Sequence, residues 1–332
     1  MRCRLKFGIC FLLLAVLMCD YAHAENRKLY AEGVIAWTRG GGTDTTFRAL
    51  IDYINAHNSD LHINPINKTG FSGAYATRYV YEKKPDGKTI LINAENPPLY
   101  KMLEYGNHNY DDFECILLAA TEPASIVVPA SSKWRSLTQM FEAVKNGETV
   151  TEASSNIGGM PWTVSSMLNG ASGIIFQREW YIDDLSAILS IFDGSNDLTF
   201  AKVQLVREPV RNGRLRFISI IGDERIEDLP DIPAIVEEVP AFKDYLPWGP
   251  FYGAFLKKGT PPEIIQRWQK AFMEAYESEE FQRFLYTHGM TPLGLSGEEA
   301  NKYIHDWQER TLKALAKSNL NLNFKFNRLN EE

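Results

Sequence analysis

Short apolar runs of strand length alternate along this chain with longer stretches whose apolar residues repeat at helical spacing. That order is the signature of an α/β protein, in which strands gather into sheets and the intervening helices cover the sheet faces. The runs expected as strands are Gly33–Trp37, Leu61–Pro65, Thr89–Asn93, Cys115–Ala119, Ser125–Pro129, Thr149–Ala153, Leu215–Ile221 and Tyr252–Leu256. After the first of them, Phe47, Leu50, Ile51 and Ile54 recur at i, i+3, i+4 and i+7, one buried stripe of a helix. Ser136 with Gln139, Thr260 with Glu263, and Ser296 with Glu299 have capping-box spacing, so a helix is expected to begin at each, with Pro261 at a first helical position.

With 332 residues the chain is long enough for two domains. It is 45% hydrophobic, and no apolar run of spanning length follows residue 20, which excludes a polytopic membrane protein and a disordered one. The first 24 residues read as an export signal. Arg2, Arg4 and Lys6 precede the apolar run Phe7–Met18, and Ala22-His23-Ala24 offers small residues for cleavage before Glu25. A lipoprotein is disfavoured because Met18 stands before Cys19, and a membrane anchor because a span needs roughly 20 apolar residues. Without Arg2, Arg4, Lys6 and Asp20, the 35 basic and 42 acidic side chains become 32 and 41, a net charge of −9. Nucleic acid therefore has no electrostatic support as a partner, and an anionic ligand must be held locally. Three of the four cysteines also leave with the signal, so Cys115 is alone and is expected as a buried structural thiol. At the other end, Leu320, Leu322, Phe324 and Phe326 alternate with polar residues as in a strand face, and a frayed end is favoured over sheet pairing.

The most informative stretch runs from Val34 to Asp44, an apolar run passing through Arg39-Gly40-Gly41-Gly42-Thr43-Asp44 into the first amphipathic helix. Glycines let the backbone approach a ligand closely, and the free N–H groups of a helix start favour a carboxylate or phosphate. No Lys-Ser/Thr pair follows, so this is not a P-loop; a plain turn capped by Thr43 or Asp44 is an equally good reading of the turn alone. Thr69-Gly70-Phe71-Ser72-Gly73 and Ala153-Ser154-Ser155-Asn156-Ile157-Gly158-Gly159 have the same small-residue character between strand and helix. Three such loops at strand ends are expected to meet around one small ligand, with Gly41–Asp44 and Ser72–Gly73 on one side and Ser154–Gly158 on the other.

These loops, followed in order by Pro85-Asp86-Gly87, Asn96-Pro97 with Leu99-Tyr100, Asp112-Phe113, Ser154-Ser155, Tyr181, Gly194 with Asp197, Leu229-Pro230-Asp231-Ile232-Pro233 and Gly259-Thr260-Pro261, resemble the TctC (Bug) family of extracytoplasmic receptors for tripartite tricarboxylate transporters. The resemblance covers about residues 28–317. It implies a two-lobed periplasmic-binding-protein fold of the second type with the ligand between lobes, lobe 1 comprising 28–126 plus 247–320, lobe 2 127–246, and a tail at 321–332. It also implies a periplasmic protein that is not an enzyme, has no cofactor or metal, and holds a small organic carboxylate for membrane transporter subunits. Carried over by position, Gly41, Gly42, Thr43 and Asp44 form the first-lobe grip, Ser154, Ser155 and Gly158 the second, and Tyr181 and Asp197 serve the pocket or its closure.

Departures from the family pattern point to a modified ligand. Arg39 stands where a small residue is usual and is expected either to bond a second carboxylate or to rest at the rim. Glu95 replaces a small polar residue, Trp162-Thr163 replaces Ser-His, and Tyr181-Ile182-Asp183 replaces Tyr-Lys-Gly. With Trp37, Trp162 and Trp180 near the loops, a bulkier or aromatic carboxylate is expected, packing in the lobe interior being the alternative for each ring; Trp248 is expected in core or hinge packing. Two other functions stay open: a ligand-sensing adaptor for a sensor kinase or envelope partner, and a hydrolase using Ser154 or Ser155. The second is weakened because the chain has no Gly-x-Ser-x-Gly elbow and the histidines that follow the signal, His57, His62, His108, His288 and His305, are scattered. Asn67-Lys68-Thr69 fits a glycosylation acceptor, which has little meaning in a bacterial protein.

Overall fold

The computed structural model describes residues 28–318. The signal read at 1–24 and the alternating tail from Asn319 lie outside the described residues. The chain opens with β1 (Leu29–Ile35), α1 (Gly42–His57), β2 (Leu61–Asn67), α2 (Ala74–Tyr81), β3 (Thr89–Ala94) and β4 (Phe113–Thr121). It crosses into a second layer system with β5 (Ala124–Pro129), α3 (Leu137–Lys145), β6 (Thr151–Ser154), α4 (Met160–Ser172), β7 (Gln177–Trp180), α5 (Asp184–Phe192), β8 (Leu198–Lys202), α6 (Val203–Arg211), β9 (Leu215–Ile221) and α7 (Ile235–Glu238). It then returns to the first with β10 (Phe251–Lys257), α8 (Pro262–Glu277), α9 (Glu279–Thr287), β11 (Thr291–Leu295) and α10 (Gly297–Lys317).

Two sheets result, one in each lobe. The first has the order β11-β4-β10-β3-β1-β2, the second β7-β6-β8-β5-β9. β1 is parallel to β2 and β3, while the returning β10 is antiparallel to β3 and β4. In the second sheet β6 is parallel to β7 and β8, and β5 is antiparallel to β8 and β9. The stripe Phe47, Leu50, Ile51 and Ile54 is fully buried and meets Trp268 and Phe272 of α8 in the core of the first lobe. Cys115 is also buried there, and burial pushes its thiol well above the ordinary range.

The lobes are joined where β4 passes to β5 and where the chain returns before β10. Glu122 N–H donates to the Pro250 carbonyl at 3.2 Å and Thr121 Oγ1 donates to it at 2.9 Å, tying the two crossings side by side. α10 lies along this junction. Trp307 donates to the Gly249 carbonyl at 2.9 Å, and Trp248 donates to Thr311 Oγ1 at 2.9 Å, so Trp248 is core packing as expected. The far end of α10 rests on α4 of the second lobe. A Cβ at Gly170 would stand 2.7 Å from the Ala314 carbonyl, so only glycine permits that approach.

All eight expected strands are present, β9 with the expected bounds and the other seven with shifted ends, and three others were not anticipated. β7 is an exposed run, Gln-Arg-Glu-Trp; β11 carries Pro and Gly at a sheet edge; β8 enters α6 with no turn residue between them. Of the three capping boxes, only Ser136 makes its cap bond, accepting from Gln139 N–H at 3.2 Å. Ser296 precedes its helix without a side-chain cap bond, and Thr260 instead donates to the Lys257 carbonyl at 2.7 Å, which moves the start of α8 to Pro262.

Candidate functional site

The glycine turn after β1 is organised by Asp44, whose side chain is 2% exposed. Its carboxylate accepts from Arg48 Nε at 2.9 and 3.0 Å, from Asn67 Nδ2 at 2.8 Å and from Gly40 N–H at 2.9 Å. Burial works to raise its pKa, and these donors outweigh burial and hold the carboxyl below its ordinary value. Asp44 thus folds the loop back on itself, and no side chain caps α1. The first amides of a 16-residue helix are left with the positive end of its dipole beside a cavity. At Gly42 a Cβ would meet Tyr252 Oη at 2.7 Å, so the backbone must come this close to β10 without a side chain.

That cavity has a volume of about 300 Å³ and lies between the lobes. Gly41, Gly42, Thr43 and Trp37 form one wall, and Gly70, Phe71 and Gly73 extend it. The opposite wall is Asn156, Ile182, Asp183, Asp184, Leu185, Lys202 and Leu205. Trp37 is oriented by Asn93, a fully buried residue: Trp37 Nε1 donates to Asn93 Oδ1 at 3.0 Å, and Asn93 Nδ2 donates to Thr77 Oγ1 at 3.1 Å and Tyr100 Oη at 3.2 Å. A Cβ at Gly73 would meet that same Asn93 Oδ1 at 2.8 Å in a backbone of φ +91°, which makes glycine obligatory. Phe71 and Ser72 have left-handed φ values of 49° and 50°, strain that is uncommon for such residues. Ser72 is held there by Tyr100, which donates to its carbonyl at 2.8 Å, while Phe71 is 70% exposed at the cavity and meets Tyr105 edge-on at 5.8 Å.

Several residues assigned from the sequence stand elsewhere. Asp44 is turned into the loop, and Arg39 is exposed outside the cavity. Ser154, Ser155 and Gly158 do not line the cavity: both serines are buried at the end of β6, Ser155 Oγ donates to Asp184, and the Gly158 carbonyl accepts from Asn96. Tyr181 Oη accepts from Asn196 at 2.7 Å, and Asp197 accepts from Thr151 N–H at 2.8 Å and from Trp134 at 3.3 Å, within the second lobe. Trp162 is core and Trp180 faces solvent beside Arg178, so of the three tryptophans only Trp37 reaches the cavity. The N-terminus of α5, which borders the cavity, is already capped by Asp183, whose carboxylate accepts from Ser186 N–H at 2.8 Å.

Ser72 holds the lobes together. Its Oγ donates to the Ile157 carbonyl across the cleft at 2.7 Å, and Tyr105 Oη donates to the same carbonyl at 3.2 Å. With Asn96 on Gly158, three first-lobe side chains grasp the backbone of one second-lobe loop. The principal residue missed from the sequence is Lys202, which is buried at the cavity wall where a lysine at a strand end reads as exposed. Its nearest acidic oxygen, Asp184 Oδ2, is 4.0 Å away, and its ammonium also stands 5.4 Å from the centre of the Tyr252 ring.

Among the described residues, no helix is long and apolar enough to cross a membrane, and no group of three His, Cys, Asp or Glu side chains is placed to hold a metal. A 26% identical relative, a UPF0065 protein from the tcbD-tcbE intergenic region of Pseudomonas sp. strain P51, aligns over 297 residues, 87% of this chain and 86% of its own length. The periplasmic binding protein BugD shares the fold at TM-score 0.76 and 20% identity, covering 87% of this chain and 98% of that one. The R. palustris protein Rpa4515, solved with adipate, gives TM-score 0.78 at 19% identity, covering 87% and 96%. The model of the tripartite tricarboxylate transporter family receptor, TctC, matches residues 63–320, and its members are periplasmic solute-binding proteins and not enzymes. Two lobes closed over a cavity at an uncapped helix start, together with that match, place the chain in the TctC receptor family.

Proposed function

We propose that this protein is an exported receptor that captures a small organic carboxylate by lobe closure and presents it to the membrane subunits of a tripartite transporter. The observation that carries the reading is the 300 Å³ cavity between the lobes with the uncapped start of α1 in its wall. A ligand touching both walls binds the closed form better than the open one and so shifts that equilibrium. The chain divides near residues 126 and 246 for this motion, as the resemblance implies, and the export signal at 1–24 delivers it to the periplasm. The adipate in Rpa4515 supports an organic acid as the class of ligand.

The ligand carries an apolar or aromatic part beside its carboxylate. Trp37 and Phe71 offer rings on one wall, and Ile182, Leu185 and Leu205 face them. Thermal-shift and calorimetric titration with adipate, succinate, citrate, benzoate and phenylacetate tests both levels. Stabilisation by at least one of these acids is expected, with benzoate or phenylacetate ahead of succinate and citrate; the reverse order removes the aromatic refinement and leaves the receptor. Gly41 has an extended backbone, φ −74° and ψ 169°, that any residue adopts. A Cβ there would stand 3.2 Å from the carbonyl of exposed Thr38, a tight contact to which the turn must yield, so Gly41→Val is expected to lower the ligand-free melting temperature by a few degrees at most and to abolish the shift produced by the binding acid.

A further inference from the structure

Behind the cavity wall lies a group of ionisable side chains that a backbone grip does not require. Glu95 follows β3, Glu122 sits at the crossing between lobes, and each is 2% exposed. Neither lines the cavity. One carboxyl oxygen of each, Oε2, has no hydrogen-bond partner among the described residues. The other oxygen of Glu122 accepts from Tyr252 of β10. Lys202, supplied by β8 of the second lobe, lines the cavity and is near enough to both acids to oppose their burial electrostatically. Its nearest acidic oxygen lies at 4.0 Å, beyond hydrogen-bond distance, so among the described residues it hydrogen-bonds no acidic oxygen.

A buried carboxyl with an orphaned oxygen is far cheaper as the neutral acid than as an anion. Burial accordingly raises Glu95 to about 7 and Glu122 to about 8, even with Lys202 opposing. Burial also works against the charge of Lys202, and Asp184, Glu122 and Glu95 outweigh it, so the ammonium is retained. The other groups facing this cluster are Asp184 and Asp183 at the start of α5, the Tyr252 hydroxyl, and Tyr100 and Tyr110 beside Glu95; burial raises both tyrosines, which stay neutral. Asp183 is engaged by Ser186 N–H and Oγ.

We propose that Lys202 is the cation that receives a carboxylate of the ligand, and that Glu95 and Glu122 hold protons behind it, so that the anion is captured together with a proton. This rests on the reading of the cavity as a carboxylate site. An anion placed on Lys202 removes the charge that favours ionised glutamates and adds one that opposes them. A proton from the buffer then moves onto whichever of the two is still ionised. Net uptake is expected between about pH 7 and 9, and none below about pH 6, where both acids are already protonated. Affinity for an anion is highest in acid and declines as pH rises through that window.

The test is calorimetry of the full exported chain with adipate, malate, benzoate and phenylacetate at pH 7.5, each in two buffers of different ionisation enthalpy, for wild type, Lys202→Met and the double variant Glu95→Gln with Glu122→Gln. For any acid that binds, wild type is expected to take up a fraction of a proton that the double variant does not, and Lys202→Met to weaken binding roughly 10- to 100-fold, the size of a lost hydrogen bond to a charged group. The wild-type measurement needs no variant to fold, and melting curves confirm that the variants do. An acid that binds without proton uptake and with unchanged affinity in Lys202→Met overturns this inference and leaves the receptor reading intact. If none of these four binds wild type, and neither succinate nor citrate does, the receptor reading falls first and takes the role of Lys202 with it.

Discussion

Asp44 shows how one carboxylate can be visible in a sequence while its task is not. The spacing of Asp44 and Arg48 places both on one helix face, and the glycines beside Asp44 mark a ligand turn, yet nothing in the order of residues says which way the acid points. In the folded chain it points inward, because Arg48 is joined there by Asn67, a residue from the end of β2 that the sequence offers only as a glycosylation acceptor. Asp44→Ala strands a half-buried guanidinium and frees Gly40 N–H, and is expected to cost about 1–3 kcal/mol, read as a fall of several degrees in melting temperature. The folded state holds this carboxyl below its ordinary value, so its stabilisation is present at neutral pH and disappears as pH falls below about 4. Melting temperatures of wild type and Asp44→Ala should therefore converge in acid; a constant gap would show that charge is not what Asp44 supplies.

Among the elements, the turn after β2 separates stability from binding. Phe71 takes a left-handed backbone that costs a non-glycine residue roughly 1–2 kcal/mol, while most of its ring remains in solvent. Phe71→Gly relieves that strain and loses the edge contact with Tyr105, worth roughly 0.5–1.5 kcal/mol. Its melting temperature is expected to equal or exceed that of wild type, with affinity for the preferred aromatic acid reduced several-fold in calorimetry; equal affinity would remove Phe71 from the site. The glycines framing this turn were legible, and so were the strands before them, since apolar runs next to glycine are plain in a sequence. β8 was not, because Leu-Thr-Phe-Ala-Lys runs directly into a helix and ends in a residue type that ordinarily marks a surface. With that strand goes Lys202, whose charge is sustained against burial by acids far away in the chain, at positions 95, 122 and 184.

For the molecule as a whole, two lobes and a cleft followed from the ordered motifs, but the bonds across the cleft did not. Ile157 and Gly158 contribute only carbonyl oxygens, which every residue has, so no side chain announces the latch. Those bonds join the two lobes directly, and each favours the closed arrangement over an open one. Ser72→Ala combined with Tyr105→Phe removes both donors to Ile157 and should enlarge the radius of gyration of the ligand-free protein in small-angle X-ray scattering. An unchanged radius would mean that the latch does not set the resting state.

The last helix determines what kind of opening is left. Rooted at Gly249 through Trp307 and laid against the second lobe where Gly170 admits it, α10 works like the spine of a book. Covers bound in that way part widely at the fore-edge, where Phe71 and Ile182 stand, and hardly at all near the binding, where Glu122 sits. A guest would enter from the fore-edge, and the pages nearest the spine would be the last to part.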